Sequence, residues 1–189
     1  DLNERATVSL KSLDLILQWS QVSSGHGNPE IENLDPEPII NDILELNKHQ
    51  IHNKEIEIVK RLDPAIQLPA DPNQFKSIAL NLISNALKFS PDKEVLEIGV
   101  QKRRDQVEFY VRDKGNGIPD KVIESIEGNS DDMIVSKAGT KGEKGTGIGL
   151  RIVKDFVKAH GASLEIKNLE QGAEVRVCFP KQKTLREVV

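Results

Sequence analysis

The chain has 189 residues, 37% of them hydrophobic and 30% charged, with a formal net charge of -4. That suits one soluble globular domain with an appendage, and the mixed signs leave no basic stripe for nucleic acid and no polybasic segment for anionic lipid. The single cysteine, Cys178, excludes an intramolecular disulfide or a cysteine metal cluster and fits a reducing compartment; no apolar run approaches the roughly 20 residues needed to span a bilayer, and no signal peptide opens the chain, so a cytoplasmic setting is expected.

Leu2, Ala6, Leu10, Leu13, Ile16, Leu17 and Val22 fall at helical spacing, so residues 2–22 read as an amphipathic helix whose partner comes from elsewhere. The chain opens at Asp1, already inside this pattern, which suggests a fragment. Turn formers from Gln21 to Pro29 mark a linker, and a short extended piece follows around Ile31 to Leu34. Asp35-Pro36 starts a second helix, expected to run to about Asn53. Lys54 to Val59 alternates charged and apolar residues as a strand with one wet face, and Leu62 to Leu68 reads as a connector.

Asp71 before Pro72 signals a helix start, and Ser90-Pro91 signals its end. Phe75, Ile78, Ala79, Leu82, Ile83, Ala86 and Leu87 make its broad apolar face, while Asn81, Asn85 and Lys88 form a polar stripe at i, i+4 and i+7. A solvated surface is one reading of the stripe. Asn is a poor helix former, however, and amide oxygens with a nearby lysine also suit Mg²⁺ and phosphate; the helix alone leaves both open.

Leu96, Ile98 and Val100, then Val107, Phe109 and Val111, predict an antiparallel pair turning at Arg103 to Gln106. The same alternation puts Asp113 on the inward face, where a carboxylate needs a donor. Asp113-Lys114-Gly115-Asn116-Gly117-Ile118-Pro119 then reads as a glycine turn. A small apolar helix is expected around Val122, Ile123 and Ile126, within a polar segment of residues 120–144 that has the length of a functional lid. Gly145-Thr146-Gly147-Ile148-Gly149-Leu150 opens a helix that ends near His160-Gly161; such glycines suit either phosphate binding or close backbone packing. Ile148 and Leu150 exclude the Walker and dinucleotide fingerprints. Leu164 and Ile166, a turn at Gln171-Gly172, and Val175, Val177 and Phe179 predict a last antiparallel pair before a charged tail.

Taken together, NLISNALKFS from Asn81, DKGNGIP from Asp113 and EKGTGIGLRIVK from Glu143, closed by HGASLEIKNLEQGAEVRVCFP from His160, resemble the catalytic, ATP-binding domain of sensor histidine kinases over residues 30–180. LILQWSQVSSG before them resembles the end of that family's dimerisation and histidine phosphotransfer helix. The resemblance implies an α+β fold, an α/β sandwich whose mixed, mostly antiparallel sheet is covered on one face by three helices. An ATP lid would lie between the Asp113 and Gly145 motifs, with a helical appendage at the N-terminus. The implied domains are 1–24 for the phosphotransfer helix end, 25–34 for linker and first strand, 35–182 for the ATP-binding domain and 183–189 for a tail.

Carried over by position, the resemblance makes Asn85 the Mg²⁺ ligand, Asn81 its neighbour on the nucleotide face and Lys88 a phosphate contact, with Asn81 and Lys88 the catalytic candidates. It puts Phe89 against adenine, Asp113 under its amino group, and Gly115, Gly117 and Ile118 along the base. Lys144, Gly145, Thr146, Gly147, Gly149 and Leu150 would form the phosphate-binding hinge and helix start. ATP and Mg²⁺ are the implied cofactors. The implied partners are an upstream histidine phosphotransfer domain, a response-regulator receiver domain and a second copy in a homodimer, with no nucleic acid. The chain would be cytoplasmic, as the cytoplasmic portion of a receptor that the membrane can anchor.

Branches of the superfamily that hydrolyse ATP carry a glutamate base where this chain has Asn81, which disfavours self-sufficient hydrolysis. None of His26, His49, His52 and His160 is followed by an acidic residue and proline, so each reads as a surface or cap residue and the phosphoacceptor is expected upstream of Asp1. Two departures from the family stand out: the phenylalanine motif ahead of the lid is not recognisable in ESIEGNSDD, and Gly172-Ala173 stands in place of a common Gly-Thr or Gly-Ser. These motivate a competing reading, a non-catalytic nucleotide-binding scaffold of the same fold.

Overall fold

A computed structural model describes residues 28–127 and 149–181. The predicted helix over 2–22, much of the linker, the lid from 128 onwards with Lys144, Gly145, Thr146 and Gly147, and the tail lie outside the described residues. In chain order the elements are β1 (Glu32–Leu34), α1 (Pro36–Leu46), α2 (Lys48–Asn53), β2 (Glu57–Leu62), β3 (Leu68–Ala70) and α3 (Pro72–Phe89). They continue with β4 (Val95–Arg103), β5 (Gln106–Arg112), α4 (Asp120–Glu127), α5 (Gly149–Ala159), β6 (Ser163–Asn168) and β7 (Ala173–Pro180).

The start of α3 follows from its sequence. The Asp71 carboxylate accepts from the Asn73 and Gln74 amides, and Pro72 occupies a first-turn position that needs no donor. The helix ends where Ser90 turns extended before Pro91. Its apolar face is buried against a five-stranded sheet in the order β2-β4-β5-β7-β6, with β2 parallel to β4 and the other neighbours antiparallel. Ile40 and Ile43 from α1 and Ile152, Val153, Phe156 and Val157 from α5 join it, so three helices cover one face as expected. At the centre, Phe75 meets Phe109 and Phe179 edge to face, with ring centroids 5.1 and 6.4 Å away. Strands β1 and β3 form a separate antiparallel pair.

Three boundaries differ from the sequence reading. The helix expected to run from Pro36 to Asn53 breaks at Asn47, whose side-chain amide donates to the Ile43 carbonyl (2.7 Å) and so competes with helix continuation. The strand expected from Lys54 starts instead at Glu57, because Glu55 adopts φ 52° and turns the chain. The expected connector contributes β3 at its end, a pairing with β1 that local pattern does not announce.

The other face of the sheet is polar yet largely covered by its own side chains. Arg176 donates to Glu108 (2.5 Å) and Glu174 (2.7 Å); Arg112 donates to Glu97 (3.0 Å) and to Glu174. Tyr110 donates to Glu97 and lies flat over Gly99, where any side chain would strike the ring, with both guanidinium groups within 5.6 Å of its centroid. Burial works against the Glu174 carboxylate, but the two arginines outweigh it and hold its pKa below the ordinary value. On the same face Cys178 is buried, and that burial pushes its thiol up to about 11, leaving it unreactive at neutral pH.

His160, at the end of α5, ties that helix to the start of α3. Its Nδ1 lies 2.7 Å from the Phe156 carbonyl and its Nε2 accepts from the Asp71 amide (3.1 Å), an arrangement that requires the neutral, Nδ1-protonated ring. Burial lowers its pKa, against the opposing pull of the Phe156 carbonyl and the Asp71 charge.

Two predictions follow from these contacts. Arg176→Met leaves Glu108, 2% exposed, without its closest cation, and urea unfolding should show a loss of about 3–5 kcal/mol. Because the unfolded chain protonates His160 more readily than the folded one, stability should fall as pH drops through about 6.5 and level off below the lowered folded value. Urea midpoints at pH 7.5 and 5.5 should therefore diverge more in the wild type than in His160→Gln.

Candidate nucleotide site

Three backbone approaches bring the sequence motifs together. Gly115, two residues beyond β5's extension at Asp113, sits so close to the end of α3 that a Cβ would lie 2.6 Å from the Phe89 carbonyl oxygen. Gly149, first residue of α5, lies against the Asn81 side chain, where a Cβ would displace the amide oxygen. Gly172, at φ 84°, lies against the Asp113 carbonyl, where a Cβ would overlap the oxygen. The C-terminal half of α3, the segment 113–118 and the first turn of α5 thus converge.

Asp113 is the charged group at this junction. Its main chain extends the β5–β7 ladder by donating to the Ala173 carbonyl (2.9 Å). Its Oδ1 accepts from the amides of Gly115 (2.8 Å) and Ala173 (3.3 Å), while Oδ2 receives no hydrogen bond among the described residues. Burial pushes the carboxyl pKa up, and the two amides only partly offset this. The result is a partly desolvated carboxylate with one oxygen fixed and the other available to an outside donor.

On α3, Asn81 donates to the Ser77 carbonyl (2.8 Å), so its amide is oriented by its own helix while its oxygen meets Gly149. Asn85 is half-buried and its side chain makes no hydrogen bond among the described residues, leaving its amide oxygen accessible to a hard cation. Lys88 holds its ammonium 4.8 Å from the Phe89 ring centroid. Leu150 packs against the core beside Gly149. Of the predicted site residues, then, Asn81, Asn85, Lys88, Phe89, Asp113, Gly115, Gly117, Ile118, Gly149 and Leu150 fall on the converging elements.

Sequence reading missed Asn168. From the end of β6 its side chain clasps Ile118 across 50 residues, accepting from the Ile118 amide and donating to the Ile118 carbonyl, both at 2.8 Å. This clasp holds the segment just after Gly117, which itself turns at φ 74° against the Asn168 amide. A terminal strand Asn is the only sequence signal, and it names no partner.

A family model described as histidine kinase-, DNA gyrase B-, and HSP90-like ATPase matches residues 70–183. The chain belongs to that ATPase family. Sensor histidine kinase WalK of Bacillus subtilis is 32% identical over 146 residues, 75% of this chain, and the chain spans 23% of that kinase's length. Among solved structures, the Acinetobacter baumannii histidine kinase AdeS superposes with a TM-score of 0.75 at 15% identity, covering 96% of this chain and 83% of that one. Full-length ShkA, solved in complex with AMPPNP, gives 0.70 at 24% identity, covering 95% of this chain and 37% of that one. Both share this ATPase domain's fold. No helix among the described residues is long and apolar enough to cross a membrane.

The clasp is open to test. Asn168→Ala removes two hydrogen bonds from a solvent-accessible site, so we expect a stability loss of only about 1 kcal/mol, with amide exchange at Ile118 accelerated at least tenfold. Gly172→Ala, by contrast, combines an unfavourable φ with overlap at Asp113 and should cost about 2 kcal/mol or more.

Proposed function

We propose that this domain binds Mg²⁺ and ATP and donates the γ-phosphate to a histidine on an upstream phosphotransfer domain, from which a response-regulator aspartate takes it. Asp113 is the observation that carries this reading: a half-buried carboxylate whose Oδ1 is held by two amides and whose Oδ2 is left to accept from the amino group of adenine. AMPPNP in ShkA and the sensor kinase WalK among the relatives support it.

Each residue has a part. Asp113 selects the base, Gly115 and Gly117 let the backbone come close to it, and Asn168 keeps Ile118 in place beside it. Asn85 would hold Mg²⁺, a cation that takes one or two protein ligands and completes its shell with phosphate oxygens and water. When bound, the ion neutralises charge on the phosphates. Lys88 adds a further positive charge beside them. Asn81 is an amide committed to Ser77 and packed on Gly149, so it cannot take a proton from water; this favours transfer to a positioned histidine over hydrolysis. The domain would act within a homodimer.

Calorimetry with Mg-ADP tests the site. Asp113→Asn and Asn85→Ala should each weaken binding about 10- to 100-fold, the range expected for a lost interaction with a charged group; unchanged affinity in both would falsify the assignment. Because adenine needs the ionised carboxylate and burial raises its pKa, affinity should rise with pH through that raised value, and binding below it should release protons. Paired titrations in buffers of different ionisation enthalpy count those protons. Phosphotransfer to a separately supplied acceptor domain distinguishes the kinase from the non-catalytic scaffold, which would bind nucleotide and transfer nothing.

A further inference from the structure

Lys54, between α2 and β2, is a charged side chain that is only 1% exposed. Its Nζ donates to the carbonyls of Leu87 (2.9 Å), Lys88 (2.9 Å) and Ser90 (3.2 Å). These sit at the C-terminus of α3, where the last carbonyls lack partners within the helix and the dipole is negative. The ammonium therefore meets at least these three acceptors and the favourable end of a dipole, which is what a desolvated cation requires. The Lys54 main chain adds a second hold, its carbonyl accepting from the Lys93 amide (2.7 Å). Side chain and backbone together grip the chain from Leu87 to Lys93.

The gripped stretch contains Lys88 and Phe89. Between the bound carbonyls of Lys88 and Ser90 stands that of Phe89, the atom on which Gly115 closes. The position of the Asp113 turn relative to α3 thus depends on where Lys54 sets the end of the helix.

From this geometry, and resting on the nucleotide site proposed above, we infer that Lys54 is a positioning residue for adenine nucleotide, acting through Lys88, Phe89 and the Gly115 contact. It touches no ligand itself. Removing its charge releases three carbonyls at once and lets the last turn of α3 fray, which separates Phe89 from the Asp113 turn.

The test compares Mg-ADP affinity, by calorimetry at a temperature where every variant is folded, in wild type, Lys54→Met and Val107→Ala. Val107 lies at the far end of β5 and serves as a control that loses stability without touching the site. We expect ADP affinity to fall at least tenfold in Lys54→Met and to stay within twofold in Val107→Ala, with amide exchange at Ser90 accelerated only in the former. If Lys54→Met does not fold, Lys54→Gln, which keeps a donor without the charge, gives the same reading. Wild-type affinity in a folded Lys54 variant overturns this inference alone. A wild-type chain that fails to bind ADP overturns the nucleotide site and this inference with it.

Discussion

A buried helix leaves backbone groups at each end that must find partners, and the partners chosen for α3 organise much of this domain. At its start, Asp71 accepts from two α3 amides and from the Glu30 amide, and its own amide is received by His160. At its finish, Lys54 takes three carbonyls. The helix is therefore anchored to the segment before β1, to the end of α5 and to the turn before β2. Its polar stripe holds a fixed orientation because neither end is free to shift.

Against that fixed helix, the remaining site elements are placed by contact rather than by long side chains. Gly115, Gly149 and Gly172 each stand where a single Cβ would collide with a carbonyl or an amide oxygen. At Gly115 and Gly172 backbone packs on backbone with little slack, so Asp113 is oriented before any ligand arrives. The polar plate on the opposite face has a complementary effect: its paired charges leave few groups seeking partners and give the sheet a covered surface without a second layer of helices among the described residues.

Much of this was legible in the sequence wherever the signal was local. The caps at Asp35 and Asp71, the helical spacing of Phe75 to Leu87 and the alternation of Val107, Phe109 and Val111 located the helices, the hairpins and the inward turn of Asp113. What escaped was every interaction between distant segments. Lys54 looked like the first wet residue of a strand, since nothing nearby discloses three carbonyls more than 30 residues away. Local pattern likewise names no partner for Asn168, which clasps Ile118, or for Arg176, which donates to Glu108. Asn47 interrupted a helix whose periodicity continued beyond it.

The pairing of β2 with β4 gives α3 one more role. These strands run parallel, so the chain leaving β2 must return along the sheet before β4 can begin, and α3 makes that return. Its 18 residues span about 27 Å at 1.5 Å each, close to the length of the nine-residue β4 at about 3.3 Å per residue. The helix is thus a ruler cut to the sheet. Adding one residue between Asp71 and Asn81 would turn the stripe by about 100° relative to the Asp71 cap and carry the carbonyls held by Lys54 out of register with it. Evolution can lengthen the loops around such a helix freely, but it can change what the stripe binds only by substitution.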